Sequence, residues 1–353
     1  MWIGSGILKN YRIKIKLLDK FNNKIMEVFM RSLSGIQPSG ILHIGNYFGA
    51  IKQFVELQDE YEGFYFLANY HALTSSPKGE DLKANTINVI LDYLALGLDP
   101  EKSTLFLQSD VPEHAELSWI LSNISPMGLL ERAHSYKDKV AKGIKPNVGL
   151  FTYPILMAAD ILMYSPDIVP VGKDQKQHVE MTRDIAIKFN ETYGKEVFKL
   201  PKEKIVENVA TVPGTDGDKM SKSYGNVINM FGSKKALKKQ IMSIVTDSTP
   251  LEEPKNPDNN ITKLYALFAT EAEVEALKEK FRAGNFGYGH AKNELFDKFM
   301  DYFSPFQKKR EELENNMDYV YGILRKGANK ARSIATAKMD EVRDVVGLLK
   351  KNY

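Results

Sequence analysis

The feature that most restricts this chain is an alternation that runs from Met30 to about residue 229: short apolar segments separated by stretches of helical spacing. Residues 31–35 are short and half apolar and enter a Gln-Pro-Ser-Gly turn, after which a helical pattern covers 43–57. GFYFLAN (63–69) and TLFLQSD (104–110) read as buried strands, each followed by a helical pattern, over 80–96 and 113–122. Two further helical patterns, 152–164 and 173–190, flank the short strand DIVPV. Short apolar strands separated by helices imply a parallel sheet with crossovers on both faces. The predicted fold is α/β, a doubly wound, Rossmann-like domain over residues 30–228. Such sheets bind ligands beyond the carboxyl ends of their strands.

Beyond residue 229 the pattern is helical throughout, from KKALKKQIMSIV to FQKKREELENNMDYVYGIL, with no strong strand. An all-helical second domain is expected at 229–321, with a C-terminal helix at 322–353 packing back on the first domain. The chain has 353 residues, 43% of them hydrophobic, which is enough for a sizeable core in two domains. Its net charge is only +3, so any nucleic-acid binding must come from local patches. It has no cysteine, which excludes disulfides and Cys-based zinc sites and fits a cytoplasmic location. No apolar run is long enough to span a membrane. Residues 1–29 alternate Lys and Arg with apolar residues and make a poor secretory signal. They read as an upstream extension, disordered or preceding a true start at Met30, the competing reading being a basic arm that touches RNA.

Two segments carry chemistry. In GIQPSGILHIGNYFGA (35–50) a strand passes through a tight turn into a helix opened by His43, Ile44, Gly45 and Asn46. Free N–H groups and the helix dipole favour phosphate there, and His43 and Asn46, three apart, can both donate to it. Gly45 lets a flat ring approach the backbone. Taken alone, the segment is equally a helix start with a capping His. GDKMSKSYGN (217–226) sets Lys219 and Lys222 three apart beside Ser221 in a glycine-flanked loop, where two cations could close over a triphosphate. A solvated linker would prefer no such order. Between these segments, TYPILMAADILMY (152–164) begins with proline near a helix start and places Tyr153, Met157 and Asp160 on one face. A carboxylate among apolar side chains needs a partner, which a neighbouring Lys or Arg could also supply. In DIVPVGKDQKQHVEMTRDIA (167–186) the strand ends at Gly172 and a helix begins near Asp174.

HIGN and KMSKS together resemble the two signature motifs of the class I aminoacyl-tRNA synthetases. YPILMAAD followed by VPVGKDQKQHVEMTRD resembles the bacterial tryptophanyl branch, as do GIQPSG, PMGLLERAHSYKDK (126–139) and GANKARSIA (327–335); the likeness covers nearly all of 31–350. The resemblance implies that Asp160 meets the indole N–H, with Met157, Val169, Val171 and Leu33 around the ring. Tyr153 and Gln175 would reach the α-amino group, and His71 would line the same pocket. ATP would be held by Gln37, His43, Gly45, Asn46, Gly172 and Asp174, by Met220 through its backbone, and by Lys137, Lys139, Lys219 and Lys222 at the phosphates. His43, Asn46, Lys219, Ser221 and Lys222 would be the catalytic set. Related tyrosine enzymes would show a GSDQ-type segment and a tyrosine where this chain has Leu33.

The implied reaction is ATP-dependent formation of tryptophanyl-adenylate, then transfer to tRNA(Trp), with magnesium arriving on ATP and no dedicated protein metal site. The implied assembly is a homodimer whose interface lies near Trp119, with no membrane or DNA partner, and residues 229–321 form the anticodon-binding domain. Alternatives are a tyrosine-activating enzyme of the same fold, a small-molecule nucleotidyltransferase, and a synthetase-derived RNA-binding protein without catalysis.

Overall fold

The computed structural model describes residues 14–19, 24–133 apart from Ser39 and Ser76, 136, 147–205 and 212–349; the side chains of residues 14–29 and of Asp174 are outside the description. Its centre is a five-stranded sheet of β3 (Arg31–Ile36), β4 (Glu62–Leu67), β5 (Ser103–Leu107), β6 (Ile168–Val171) and β7 (Lys202–Ile205), in the order β5-β4-β3-β6-β7. Every pairing is parallel. The chain builds outward from β3 to β4 and β5, then returns to the other side of β3 for β6 and β7. The order reverses between β3 and β6, and a crevice opens beyond their carboxyl ends.

The buried strands follow from composition. β4, β5 and β6 are covered on both faces and read as continuous apolar runs rather than alternating ones. β7 was not anticipated. Its sequence, Lys-Glu-Lys-Ile, has almost no apolar signal because it is an edge strand, and charge on an edge discourages pairing with other chains. The extension before Met30 also departs from expectation. Lys14–Asp19 (β1) and Lys24–Phe29 (β2) form an antiparallel pair in a separate two-stranded sheet. The alternation of basic and apolar residues read above as a poor signal peptide has the two-residue period of a strand.

Two helices also differ from the sequence reading. The 43–57 pattern becomes Ile44–Asn46 in α-helix, a π-helical turn at Tyr47–Ile51, α-helix again at Lys52–Glu56 and a 3₁₀ turn at Leu57–Asp59. The helix carrying Asp160 spans Val148–Tyr164, not 152–164, and is capped by the Asn147 side chain accepting from the Leu150 N–H at 2.7 Å. Pro154 therefore lies beyond the first turn, where it cannot donate to the Leu150 carbonyl.

After the loop at 212–229 the chain is helical: Lys234–Met242, Asn260–Tyr265, Glu271–Ala283, Tyr288–Glu314 and Met317–Val346. Its core is continuous with that of the sheet. Tyr47 and Phe48, just after HIGN, pack edge-on against Tyr302, Phe303 and Phe268, and the Tyr47 and Tyr302 hydroxyls lie 3.1 Å apart.

The last helix returns to the sheet. Ala331, Ala335, Met339 and Val342 form a fully buried stripe packed in the same cluster as Leu33, Phe64 and Phe106. Gly327 begins this stripe against the backbone of β5, where an added Cβ would stand 1.9 Å from the Leu105 carbonyl oxygen. Backbone cannot yield as a flexible side chain would. Gly327→Ala is expected to destabilise the protein by about 1–3 kcal/mol in urea unfolding, whereas Gly322→Ala, with only an arginine terminus within 4 Å, stays near wild type.

Candidate active site

The crevice between β3 and β6 holds a cavity of about 480 Å³. β3 and the turn after it supply Leu33, Gly35 and Gln37, the end of β4 supplies Phe66 and Ala68, and His71 and Thr74 follow. The helix Val148–Tyr164 contributes Tyr153, Met157 and Ile161 at four-residue spacing, and β6 and its exit contribute Val169, Val171, Gly172 and Gln175. Leu33, His71, Tyr153, Met157, Val169, Val171 and Gln175, named from four separate segments of sequence, thus share one wall, with Gln37 and Gly172 at the same cavity.

Asp160 lies behind that wall, 1% exposed. Its Oδ1 accepts from Gln108 Nε2 at 2.8 Å and is 2.5 Å from His114 Nδ1. Its Oδ2 is 2.7 Å from His71 Nε2 and accepts from Gln108 Nε2 at 2.9 Å. The partners are histidines and a glutamine, not the Lys or Arg that the sequence allowed. Burial raises the carboxyl's pKa, but the bonds from His114 and His71 outweigh burial and hold it below the ordinary value. His71 is the donor that also lines the cavity. Tyr153 is backed in the same way, its hydroxyl contacting Nε2 of the buried His178.

The two signature segments, some 180 residues apart in sequence, lie against each other. His43 bridges Asn229, and the Ile44 N–H donates to the Ile228 carbonyl at 3.0 Å. A Cβ on Gly45 would sit 2.9 Å from His43 Nδ1 and 3.3 Å from Met220 Cβ, so the glycine lets the segments touch. Gly40, at φ +85°, lies under the Lys222 ammonium, which is 3.7 Å from where its Cβ would be. Asn46 Oδ1 accepts from the His43 N–H at 3.1 Å, so the capping role weighed for this motif is present. The Met220 N–H donates to the Val212 carbonyl at 3.0 Å. Lys219 is exposed, and Ser221 Oγ is 2.8 Å from Ser223 Oγ. Asn226 organises the loop, accepting from the Ser221 N–H at 2.8 Å and donating to Asp216 at 2.8 Å and to the Lys219 carbonyl at 3.2 Å. Lys137 and Lys139 fall outside the described residues, as does the Asp174 side chain, whose backbone lies in the 3₁₀ turn Lys173–Gln175.

Sequence reasoning passed over Gln108, His114, Tyr164 and Phe66, and noted His178 only for its spacing three residues from Gln175. Gln108 was within reach, since it lies in TLFLQSD, the segment read as a strand, one residue beyond the observed end of β5. His114 lies in the first turn of the helix Glu113–Ser122, and nothing local distinguishes it from a surface residue. Among the described residues no group of three or more His, Asp and Glu is placed to hold a metal, and no helix is long and apolar enough to cross a membrane.

The chain is similar in sequence and fold to known proteins. A sequence model of the tRNA synthetases class I (W and Y) matches residues 26–304. The tryptophan–tRNA ligase of Fusobacterium nucleatum subsp. nucleatum is 68% identical over 323 residues, 92% of this chain and 99% of that protein. The chain belongs to the bacterial-type tryptophanyl-tRNA synthetases. Among solved structures, the Campylobacter jejuni tryptophanyl-tRNA synthetase complexed with ADP and tryptophan is 55% identical, with a TM-score of 0.87 over 90% of this chain and all 100% of that one. The Mycoplasma pneumoniae enzyme is 32% identical, with a TM-score of 0.73 over 92% and 99% of the two chains. The synthetase activates tryptophan and charges tRNA with it; a tyrosine-activating enzyme is not favoured.

Burial, aided by the charge of Lys222, lowers the His43 pKa from 6.5 to about 4. The ring is neutral at working pH and can donate only one hydrogen bond. Unfolding lets His43 bind a proton that the native state refuses between pH 6.5 and about 4, so stability falls as pH drops through that window. In His43→Asn the urea-unfolding free energy is expected to depend less steeply on pH there; an unchanged slope would assign the acid limb to other groups.

Proposed function

We propose that the cavity at the β3–β6 crevice takes tryptophan, with ATP across the HIGN and KMSKS segments. The observation that carries this reading is that seven residues from four segments line one cavity beside the adjoining signature motifs. The C. jejuni relative, complexed with ADP and tryptophan, supports it. The indole ring lies among Leu33, Phe66, Met157, Val169 and Val171, with its N–H toward Asp160. Tyr153 and Gln175 take the α-amino group, which leaves the carboxylate facing the nucleotide.

ATP enters as its magnesium complex, a substrate. The tryptophan carboxylate oxygen attacks the α-phosphorus, an O–P bond forms, and pyrophosphate leaves. The nucleophile is already anionic, so no general base is required, and catalysis consists of alignment and charge stabilisation. Neutral His43 and Asn46 donate to phosphate oxygens, with Gln37, Gly45, Gly172 and Asp174 around the nucleoside. Lys219 and Lys222 follow the charge that develops on pyrophosphate, aided by Ser221 and by Lys137 and Lys139. Burial lowers the Lys222 pKa while Asp92 pulls it back up. In the second step the tRNA terminal 2′-hydroxyl attacks the activated carbonyl and AMP departs. Exposed Lys234, Lys235, Lys238 and Lys239 on Lys234–Met242 are the proposed anticodon-side contacts to tRNA(Trp) phosphates, and the enzyme works in the cytoplasm, where that tRNA is used.

Pyrophosphate exchange is expected with tryptophan and with no other standard amino acid; exchange with tyrosine would overturn the assignment. Lys222→Ala should slow exchange about a hundredfold, on the order of 3 kcal/mol, with little change in tryptophan affinity. An unchanged rate would reject its role.

The homodimer is supported by an apolar surface: Trp119 is 72% exposed, Leu73 53% and Val148 77%. Leu73 lines a second hollow of about 460 Å³ that shares Thr74 and Tyr153 with the tryptophan cavity. Trp119→Arg should shift sedimentation from dimer toward monomer and weaken charging together with it; a dimer of wild-type strength would move the interface elsewhere.

A further inference from the structure

A carboxylate oxygen offers about two acceptor positions, and each Asp160 oxygen has two polar contacts. Oδ1 is held by Gln108 and His114, both 0% exposed, on the side away from the cavity. Oδ2 is shared by Gln108 and His71, and His71 lines the cavity. A substrate N–H therefore reaches Oδ2 by taking the place of the His71 contact, since of these partners His71 alone lines the cavity. Which oxygen faces that way depends on how the carboxylate is turned, and the shortest bond fixing the turn is the one from His114 to Oδ1, at 2.5 Å.

We propose that His114 and Tyr164 are a positioning pair for tryptophan selection, locking Oδ1 of Asp160 so that Oδ2 is presented to the indole N–H. The proposal rests on the reading that Asp160 receives that N–H. His114 Nε2 lies 2.8 Å from the Tyr164 hydroxyl, and the imidazole sits among the Phe66, Phe106 and Tyr164 rings at 5.5–6.3 Å. In the tautomer whose Nδ1 donates to the carboxylate, Nε2 accepts, and the tyrosine hydroxyl donates to it. That hydroxyl keeps its proton, since burial and the Asp160 charge both raise its pKa. Tyr164 is itself fixed: its ring stacks on Phe64 at 5.5 Å and its carbonyl accepts from Arg31 at 2.7 Å. Neither residue touches substrate. Together they set the tautomer and the orientation behind the group that does.

The test uses the full-length enzyme, with KM for tryptophan and for ATP, kcat, and discrimination against benzothiophenyl-alanine, which lacks the indole N–H. Tyr164→Phe keeps the ring and removes the hydroxyl. It should raise KM for tryptophan about tenfold and narrow the discrimination, with KM for ATP and kcat near wild type. His114→Leu should do the same more strongly. His114→Asn, whose amide can stand in for Nδ1, should recover most of the loss. If His114→Leu does not fold, Tyr164→Phe and His114→Asn decide the matter. Unchanged tryptophan KM and discrimination in these variants, while Asp160→Ala loses both, would overturn the pair and leave the Asp160 reading intact. Parallel loss of kcat and both affinities, tracking a lowered melting temperature, would also overturn it. An Asp160→Ala enzyme that selects as wild type does would overturn the underlying reading instead.

Discussion

A carboxylate buried to 1% exposure inside an apolar cluster is tolerable only if donors surround it, and that requirement organises this active site. The donors to Asp160 come from two places, His71 after β4 and Gln108 and His114 after β5, and the carboxylate itself is on the Val148–Tyr164 helix. Each must stay in register with the others for the charge to remain satisfied. The carboxyl ends of two strands and the walls of the cavity are thereby held to one helix. The low pKa of the carboxyl is the sign that the arrangement succeeds, because burial by itself would act the other way.

The nucleotide side depends on a different contact. Its two signature segments meet through a glycine at Gly45, and through one backbone hydrogen bond and an isolated bridge just past the second segment, at Ile228 and Asn229. Such a joint places the Lys222 ammonium over the turn before His43. The rigid part lies one turn further on, where Tyr47 and Phe48 are wedged into the aromatic cluster of the Tyr288–Glu314 helix. The helix that opens with HIGN therefore belongs as much to the helical half as to the sheet.

A second link joins the halves. Arg310, on that same helix, donates to the buried Asp92 at 2.6 Å and to Asn88 at 3.0 Å. Burial nonetheless raises the Asp92 pKa to about 6, against the pull of Arg310, so desolvation outweighs pairing. A pair of this kind defines register better than it adds stability. Asn85, Asn88 and Asp92 share a face of the Gly79–Ala95 helix, and Asn85 and Lys222 both approach Gly40. The loop lysine and the joint between the halves are close neighbours.

Local pattern alone determined a good deal here. Apolar runs marked β4, β5 and β6, because strands covered on both faces have few polar positions, β3 was read from a shorter, half-apolar segment, and the HIGN and KMSKS segments declared their chemistry by residue order. The lysine-rich edge strand β7 escaped, since an edge is built to lack the apolar signal, and so did the basic strands before Met30, whose two-residue period was overlooked. The site was legible as a set of residues but not as an arrangement. Leu33, His71, Tyr153, Met157, Val169, Val171 and Gln175 could be named from the chain, yet only folding gathers them in one cavity. Asp160, for which the sequence left a Lys or Arg partner open, is met by two histidines and a glutamine. Sequence spacing defines which face of a helix a side chain occupies, a matter of a few residues. What that face meets depends on strand order and crossover, which bring together positions as distant as 71, 114 and 160, and no local rule encodes those distances.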